Sequence, residues 1–203
     1  DRIDVIENYC VWPEKPDLAG RRQNQILFLG ALEERKGCYD IPVIFENVKR
    51  KCPNARLVMA GDGQMKQIKE AFERKKRLSD VTFTGWVRGQ EKEKLLQQSA
   101  VFLFPSYNEG MPVAVLEAMG YGLGIVTTTV GGIPQLIEHG KSGFLETPGD
   151  LTAMAEDVSE LLQDKTLCRS MGELARETAE QKYSLRMHLQ KLEETYRKAC
   201  LTK

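Results

Sequence analysis

Residues 101–120 read Val101-Phe102-Leu103-Phe104, then Pro105-Ser106-Tyr107-Asn108-Glu109-Gly110-Met111-Pro112, then Val113-Ala114-Val115-Leu116-Glu117-Ala118-Met119-Gly120. The first four form a continuous apolar run, the pattern of a strand covered on both faces. Pro112 suits the first turn of a helix, where its missing N–H leaves no bond unmade. Strand, polar loop and helix in that order mark an α/β domain, and the loop is where the chemistry gathers. Glu109 lies just before the helix and Glu117 on its second turn, while Gly110 has no side chain to block the helix N-terminus. Free N–H groups and the helix dipole favour an anion such as phosphate there. Carboxylates accept hydrogen bonds from pairs of hydroxyls, so two of them flanking an anion site suit a sugar nucleotide. A plainer reading fits the same residues equally well: Glu109 stabilises the helix dipole and Glu117 is a surface acid.

The same alternation repeats on either side of this unit. Apolar runs stand at 26–29, 57–60, 81–83 and 125–126, and amphipathic stretches cover 39–51, 64–78, 90–99 and 112–120. Within 64–78, Met65, Ile68, Phe72 and Leu78 fall at helical spacing. From residue 151 onward the period is helical only. Leu151, Met154, Ala155, Val158, Leu161 and Leu162 form one stripe. A second helix is predicted over 165–182 with Met171, Leu174, Ala175 and Thr178 inward, and a third over 185–201 capped by Ser184. These patterns predict a Rossmann-like parallel sheet with helices on both faces, followed by a C-terminal helical tail.

In an open parallel sheet, ligands bind beyond the carboxyl ends of the strands, which directs attention to the residues after each run. Gly30-Ala31-Leu32-Glu33-Glu34-Arg35-Lys36-Gly37 follows the first; Gly30 permits close backbone approach and Lys36 supplies a positive charge, without the Walker pattern. Gly61-Asp62-Gly63 follows the second and lacks the third glycine of a dinucleotide fingerprint, Lys66 standing in its place. Taken singly, both read at least as well as ordinary turns. After 125–126, Gly131-Gly132 makes a bend before Pro134 and offers a second backbone anion nest. His139, in His139-Gly140-Lys141-Ser142-Gly143, reads as a turn residue.

Composition narrows the class. The 203 residues carry 29 Lys+Arg and 29 Asp+Glu, a net charge of zero, so the basic excess of a nucleic-acid-binding protein is missing. No apolar run approaches the ~18 residues of a membrane span. Five widely spaced cysteines without a CxxC favour free thiols in a reducing, cytoplasmic compartment. Two histidines, His139 and His188, do not make a metal site, and neither metal nor cofactor is expected. The opening Asp1-Arg2-Ile3-Asp4 has neither Met nor a signal pattern and reads as the interior of a longer chain.

Taken as an ordered set, several segments resemble the C-terminal domain of retaining glycosyltransferases of family 4, which have the GT-B fold. They are Gly30…Lys36-Gly37, Gly61-Asp62-Gly63, Phe83-Thr84-Gly85-Trp86-Val87, Pro105-Ser106, Glu109-Gly110-Met111-Pro112…Glu117-Ala118-Met119, Gly131-Gly132-Ile133-Pro134, Phe144-Leu145 and Pro148-Gly149-Asp150. The resemblance implies a donor-binding half facing an acceptor-binding N-terminal domain that this chain does not contain. It divides the chain into an interdomain crossover segment (1–24, with a crossover strand over 3–8), a nucleotide-sugar-binding domain (25–183) and a tail helix (184–203). It implies that Lys36 neutralises the diphosphate of a UDP- or GDP-sugar and that Glu109 holds donor-sugar hydroxyls. Gly110, Met111 and Pro112 would present the helix N-terminus, and Glu117 would bind ribose. Gly30, Gly61, Gly63 and Val87 would frame the nucleotide. The reaction implied is hexosyl transfer to a glycan, lipid or small molecule, as in polysaccharide biosynthesis, without a metal; membrane association would come only through the missing half. Ala31 stands where the family carries an arginine, with Arg35 as the substitute, and Gln135 where it carries a glutamate. Two alternatives remain open: a non-catalytic sugar-nucleotide or interaction module, and an epimerase or phosphorylase of the same fold.

Overall fold

The computed structural model describes residues 5–14, 16 and 18–201. Its strands are β1 (Arg22–Leu29), β2 (Arg56–Ala60), β3 (Val81–Gly85), β4 (Ser99–Phe104), β5 (Gly124–Thr128) and β6 (Phe144–Glu146). The helices are α1 (Ile41–Lys51), α2 (Met65–Arg74), α3 (Gly89–Gln98), α4 (Val113–Gly120), α5 (Ile133–Leu136), α6 (Leu151–Gln163), α7 (Lys165–Lys182) and α8 (Leu185–Leu201). All six strands are parallel, in the order β3-β2-β1-β4-β5-β6. This is the doubly wound Rossmann order. β4 and β5 are buried along their whole length, as strands sandwiched between helix layers must be. The edge strand β3 alternates half-buried and exposed residues instead.

The order fixes where a site can form. The chain leaves β1 towards β2 on one side and leaves β4 towards β5 on the other, so the loops after these two neighbouring strands diverge and open a crevice at their carboxyl ends. Its floor is aromatic: Phe28, Phe104 and Phe102 stack at 6.0 and 5.8 Å between centroids, all fully buried. Burying each such ring stabilises the fold by about 1.5–3 kcal/mol. Among the helices, α1 packs on α6 and α4 packs on α7.

Several expectations shift. Pro112 occupies the position before the first turn of α4, not the turn itself (φ −74°, ψ 119°), and its carbonyl accepts from Val115 and Leu116. α2 ends at Arg74 because Lys76 takes a left-handed φ of 55°, leaving Leu78 in a separate 3-10 turn, Leu78–Asp80. α7 has the predicted limits, yet it buries Cys168, Met171, Gly172, Ala175 and Ala179 while Leu174 is 46% exposed and Thr178 is only half-buried. The small residues explain the rotation. A Cβ on Gly172 would lie 2.3 Å from the Gly122 carbonyl, so α7 approaches the turn after α4 along its glycine, not its leucine. The strand expected over 3–8 does not form in residues 5–8, and Ile3 and Asp4 lie outside the described residues. Instead the segment runs beside α4: Cys10 makes a single bridge to Ser184, and the Trp12 ring lies so close to Gly120 that a Cβ there would meet it at 2.5 Å. Ser184 caps α8 as expected, accepting from the Met187 N–H at 3.4 Å.

Candidate functional site

The loop after β1 ends in a 3-10 turn, Glu34–Lys36, closed by Gly37 at φ 69°. A side chain at Gly37 would place its Cβ 1.9 Å from the Pro105 carbonyl, so glycine is what allows this turn to lie on the start of the loop after β4. The two loops then share bonds. The Arg35 carbonyl accepts from the Tyr107 N–H at 2.9 Å, and the Tyr107 hydroxyl donates to Asp40 at 2.7 Å. That bond to Asp40 pushes the Tyr107 phenol up to about 12.

This docking brings Lys36 to Glu109, 73 residues away, with Nζ 2.5 Å from Oε1. The Ser106 hydroxyl lies 2.7 Å from the same oxygen, and the ammonium sits 5.2 Å from the Phe104 ring centre. The side chains are only 14% and 6% exposed, so the pair is largely desolvated. From the other side, Gly131 (φ 55°) and Gly132 brace the Glu109–Gly110 backbone. A Cβ on Gly131 would fall 1.7 Å from the Glu109 carbonyl, and the Gly132 N–H donates to the Gly110 carbonyl at 2.6 Å. The second anion nest expected here is therefore not free. The Gly132 N–H is spent on Gly110 and the Ile133 N–H on the Val130 carbonyl. The N-terminus of α4 is open by contrast: no side chain caps it, and Gly110 is exposed with no atom within 4 Å of where a Cβ would stand. Asn8 donates to the Met111 carbonyl at 2.9 Å and steadies the approach.

Glu117 is no surface acid. Its side chain is 12% exposed and its Oε1 accepts from Lys92 of α3. Burial, followed by the charge of Glu117, pushes the neighbouring Cys10 thiol up to about 11. Glu109 and Glu117 thus sit in separate ion pairs, each with a lysine from another element.

Gly61 and Gly63 are set by loop packing. A Cβ on Gly61 would lie 1.8 Å from the Gly30 carbonyl, and one on Gly63 2.7 Å from that of Leu32. The loops after β1 and β2 lie flat on each other through Leu32 N–H to Asp62 carbonyl and Gln64 N–H to Leu32 carbonyl bonds, both 2.8 Å. Asp62 accepts the Trp86 N–H at 3.1 Å, tying in the backbone beside half-buried Val87. Arg35 does not reach the Lys36–Glu109 pair as a substitute for the arginine missing at Ala31; its guanidinium is bound to Glu33 at 2.8 Å, both side chains half-exposed. His139 serves its turn, its Nδ1 accepting from the Leu145 N–H at 3.0 Å. Sequence reasoning does not reach Lys92; its one signal is a lysine four positions before an apolar residue, Leu96. Among the described residues, no helix is long and apolar enough to cross a membrane.

The family described as Glycosyl transferases group 1 matches residues 23–164. Sulfoquinovosyl transferase of Arabidopsis thaliana is 36% identical over 146 residues, 70% of this chain and 28% of that protein. Among solved structures, sucrose-phosphate synthase from Thermosynechococcus elongatus superposes with a TM-score of 0.81 at 21% identity, over 88% of this chain and 46% of that one. Anabaena HepE in complex with UDP gives 0.80 at 21%, over 89% and 50%. At such identities the structures attest the fold alone. The chain spans 28–43% of the length of the first curated relatives it matches. With a family match over residues 23–164, most of its length, this chain belongs to the glycosyl transferases group 1.

Proposed function

We propose that this chain is the donor-binding half of a retaining glycosyltransferase that takes a hexosyl group from a UDP- or GDP-sugar. The observation that carries the reading is the Lys36–Glu109 pair, desolvated at the switch point beside the open N-terminus of α4. A diphosphate placed at that N-terminus draws the Lys36 ammonium to itself. Glu109 is then released to accept hydrogen bonds from the donor sugar, and Glu117 accepts them from the ribose. As the glycosidic bond breaks, negative charge grows on the leaving phosphate, and Lys36 with the helix N–H groups stabilises it without rearrangement. Acceptor binding falls to the part of the relatives that this chain does not span, so the chain alone transfers no sugar. The complex of Anabaena HepE with UDP makes UDP the first probe.

Isothermal titration with UDP and GDP tests the reading. Binding that weakens in Glu117→Gln supports it, and no heat from either nucleotide at millimolar concentration refutes it. One observation favours a second reading, a weakened, non-catalytic site: Ala31 leaves Lys36 without a cationic neighbour from Arg35, which Glu33 holds. Under that reading Ala31→Arg raises diphosphate affinity sharply.

A further inference from the structure

We propose that Lys92 is a positioning residue for Glu117, holding its carboxylate in place to receive vicinal hydroxyls; the proposal rests on the donor-binding reading above. α3 is otherwise a solvated helix: Glu91, Glu93 and Lys94 are exposed. Lys92 differs because it lies one turn before buried Leu96, on the face that turns inward. From there its ammonium reaches across to Oε1 of Glu117 on α4. Cys10 and Tyr121, which feel the charge of that carboxylate, are buried, and burial pushes both up, while Glu93 of α3 adds negative charge near Tyr121; Lys92 provides the compensating charge. A carboxylate at 12% exposure is costly without such a partner. It also has about four lone-pair sites, so a lysine on Oε1 leaves Oε2 free to accept from a diol. Lys92 therefore does two things at once: it compensates the buried carboxylate's charge and it fixes the side-chain rotamer that aims the remaining oxygen.

The test is titration calorimetry with UDP, GDP and their 2′,3′-dideoxy counterparts on the wild-type chain, Lys92→Met, Lys92→Gln and Lys92→Arg, with thermal melts to confirm folding. The wild type should prefer the hydroxylated nucleotide by about 10- to 100-fold, as for one or two hydrogen bonds to a charged group. Lys92→Met and Lys92→Gln should narrow that preference by about 5- to 10-fold. Both should leave the dideoxy affinity unchanged, a pattern that general disruption does not produce. Lys92→Arg should restore the preference. A preference that survives in the Met and Gln variants overturns the proposal, as does tighter binding of the hydroxylated nucleotide, which would make Lys92 a competitor. Equal loss of both ligands also overturns it. If the wild type binds nucleotide with no hydroxyl preference, the role of Glu117 fails, and the site reading fails with it, irrespective of Lys92.

Discussion

Removing Lys36 should unsettle the fold as well as the site, because of where its charge lies. In Lys36→Met the Glu109 carboxylate, 6% exposed in the native protein, keeps Ser106 beside it and loses its cation. Breaking a buried pair by deleting one partner costs about 3–5 kcal/mol. Here the lysine retains 14% exposure and the serine hydroxyl remains, so the lower end, about 3 kcal/mol, is expected. For a domain near 200 residues that corresponds to a Tm lower by roughly 6–12 °C. The Lys36→Met/Glu109→Gln double variant should recover most of the loss, since a neutral amide can accept from Ser106 without a charge to compensate. Urea unfolding of the four proteins in the cycle yields the coupling, expected at about 2–3 kcal/mol. A coupling below about 0.5 kcal/mol would show that the ion pair is open in solution, and the view of Glu109 as held in reserve by Lys36 would fall with it.

Three further outcomes follow from the same geometry. Gly131→Ala combines a φ of 55° with a Cβ 1.7 Å from the Glu109 carbonyl, so it should cost at least about 2 kcal/mol in urea unfolding and weaken UDP binding by shifting Glu109. Asp164 caps α7 by accepting from Thr166 and Leu167, both at 2.9 Å, and Asp164→Ala should cost about 1 kcal/mol by the same measurement. Asp157 on α6 is pushed up to about 7 by burial and then by the charge of Glu146. Its folded state therefore holds a proton that the unfolded chain releases near its ordinary value of 3.8, and stability should fall as pH rises from about 4 through 7. Asp157→Asn should flatten that slope in urea midpoints taken at pH 5 and pH 8.

Much of the fold is legible because period and punctuation agree. The continuous runs at 26–29, 57–60 and 101–104 all fall inside strands, and α7 and α8 have the limits expected of them, although α7 buries a different face. β5 shows why the reading stops short. Only 125–126 reads as apolar, yet the strand runs on through Thr127 and Thr128. Those two are buried because their hydroxyls meet carbonyls of the neighbouring segment, Thr127 with Phe104 at 2.9 Å and Thr128 with Ser106 at 2.5 Å. A polarity scale cannot register satisfaction supplied from another strand. The same limit separates the two parts of the site. Glu109 and Glu117 announce themselves by their place around one helix start. Lys36 is placed by its position after the first strand, but its pairing with Glu109, and Lys92 altogether, depend on a sheet order that no local pattern contains. The caps at Asp150 and Asp164 are a different case: an aspartate before a helical stripe is a local signal, and both are present in the sequence.

The paired lysines also bear on how a chain of zero net charge accommodates a polyanion. In the structure each of these carboxylates is paired with a cation from another element: Glu109 with Lys36, Glu117 with Lys92. On the proposed reading, the arriving diphosphate meets no field of surplus lysines. It meets an open helix N-terminus and one ammonium able to change partners. The exchange keeps the number of ion pairs constant, transferring Lys36 from a carboxylate to a phosphate, and it uncovers Glu109 only when a ligand with both phosphate and hydroxyls is present to use both groups. Binding by such an exchange should depend on salt more weakly than binding by a basic patch, because little net charge is neutralised at the surface. A steep loss of UDP affinity between 50 and 200 mM salt, of the kind that follows release of many counterions, would contradict the exchange.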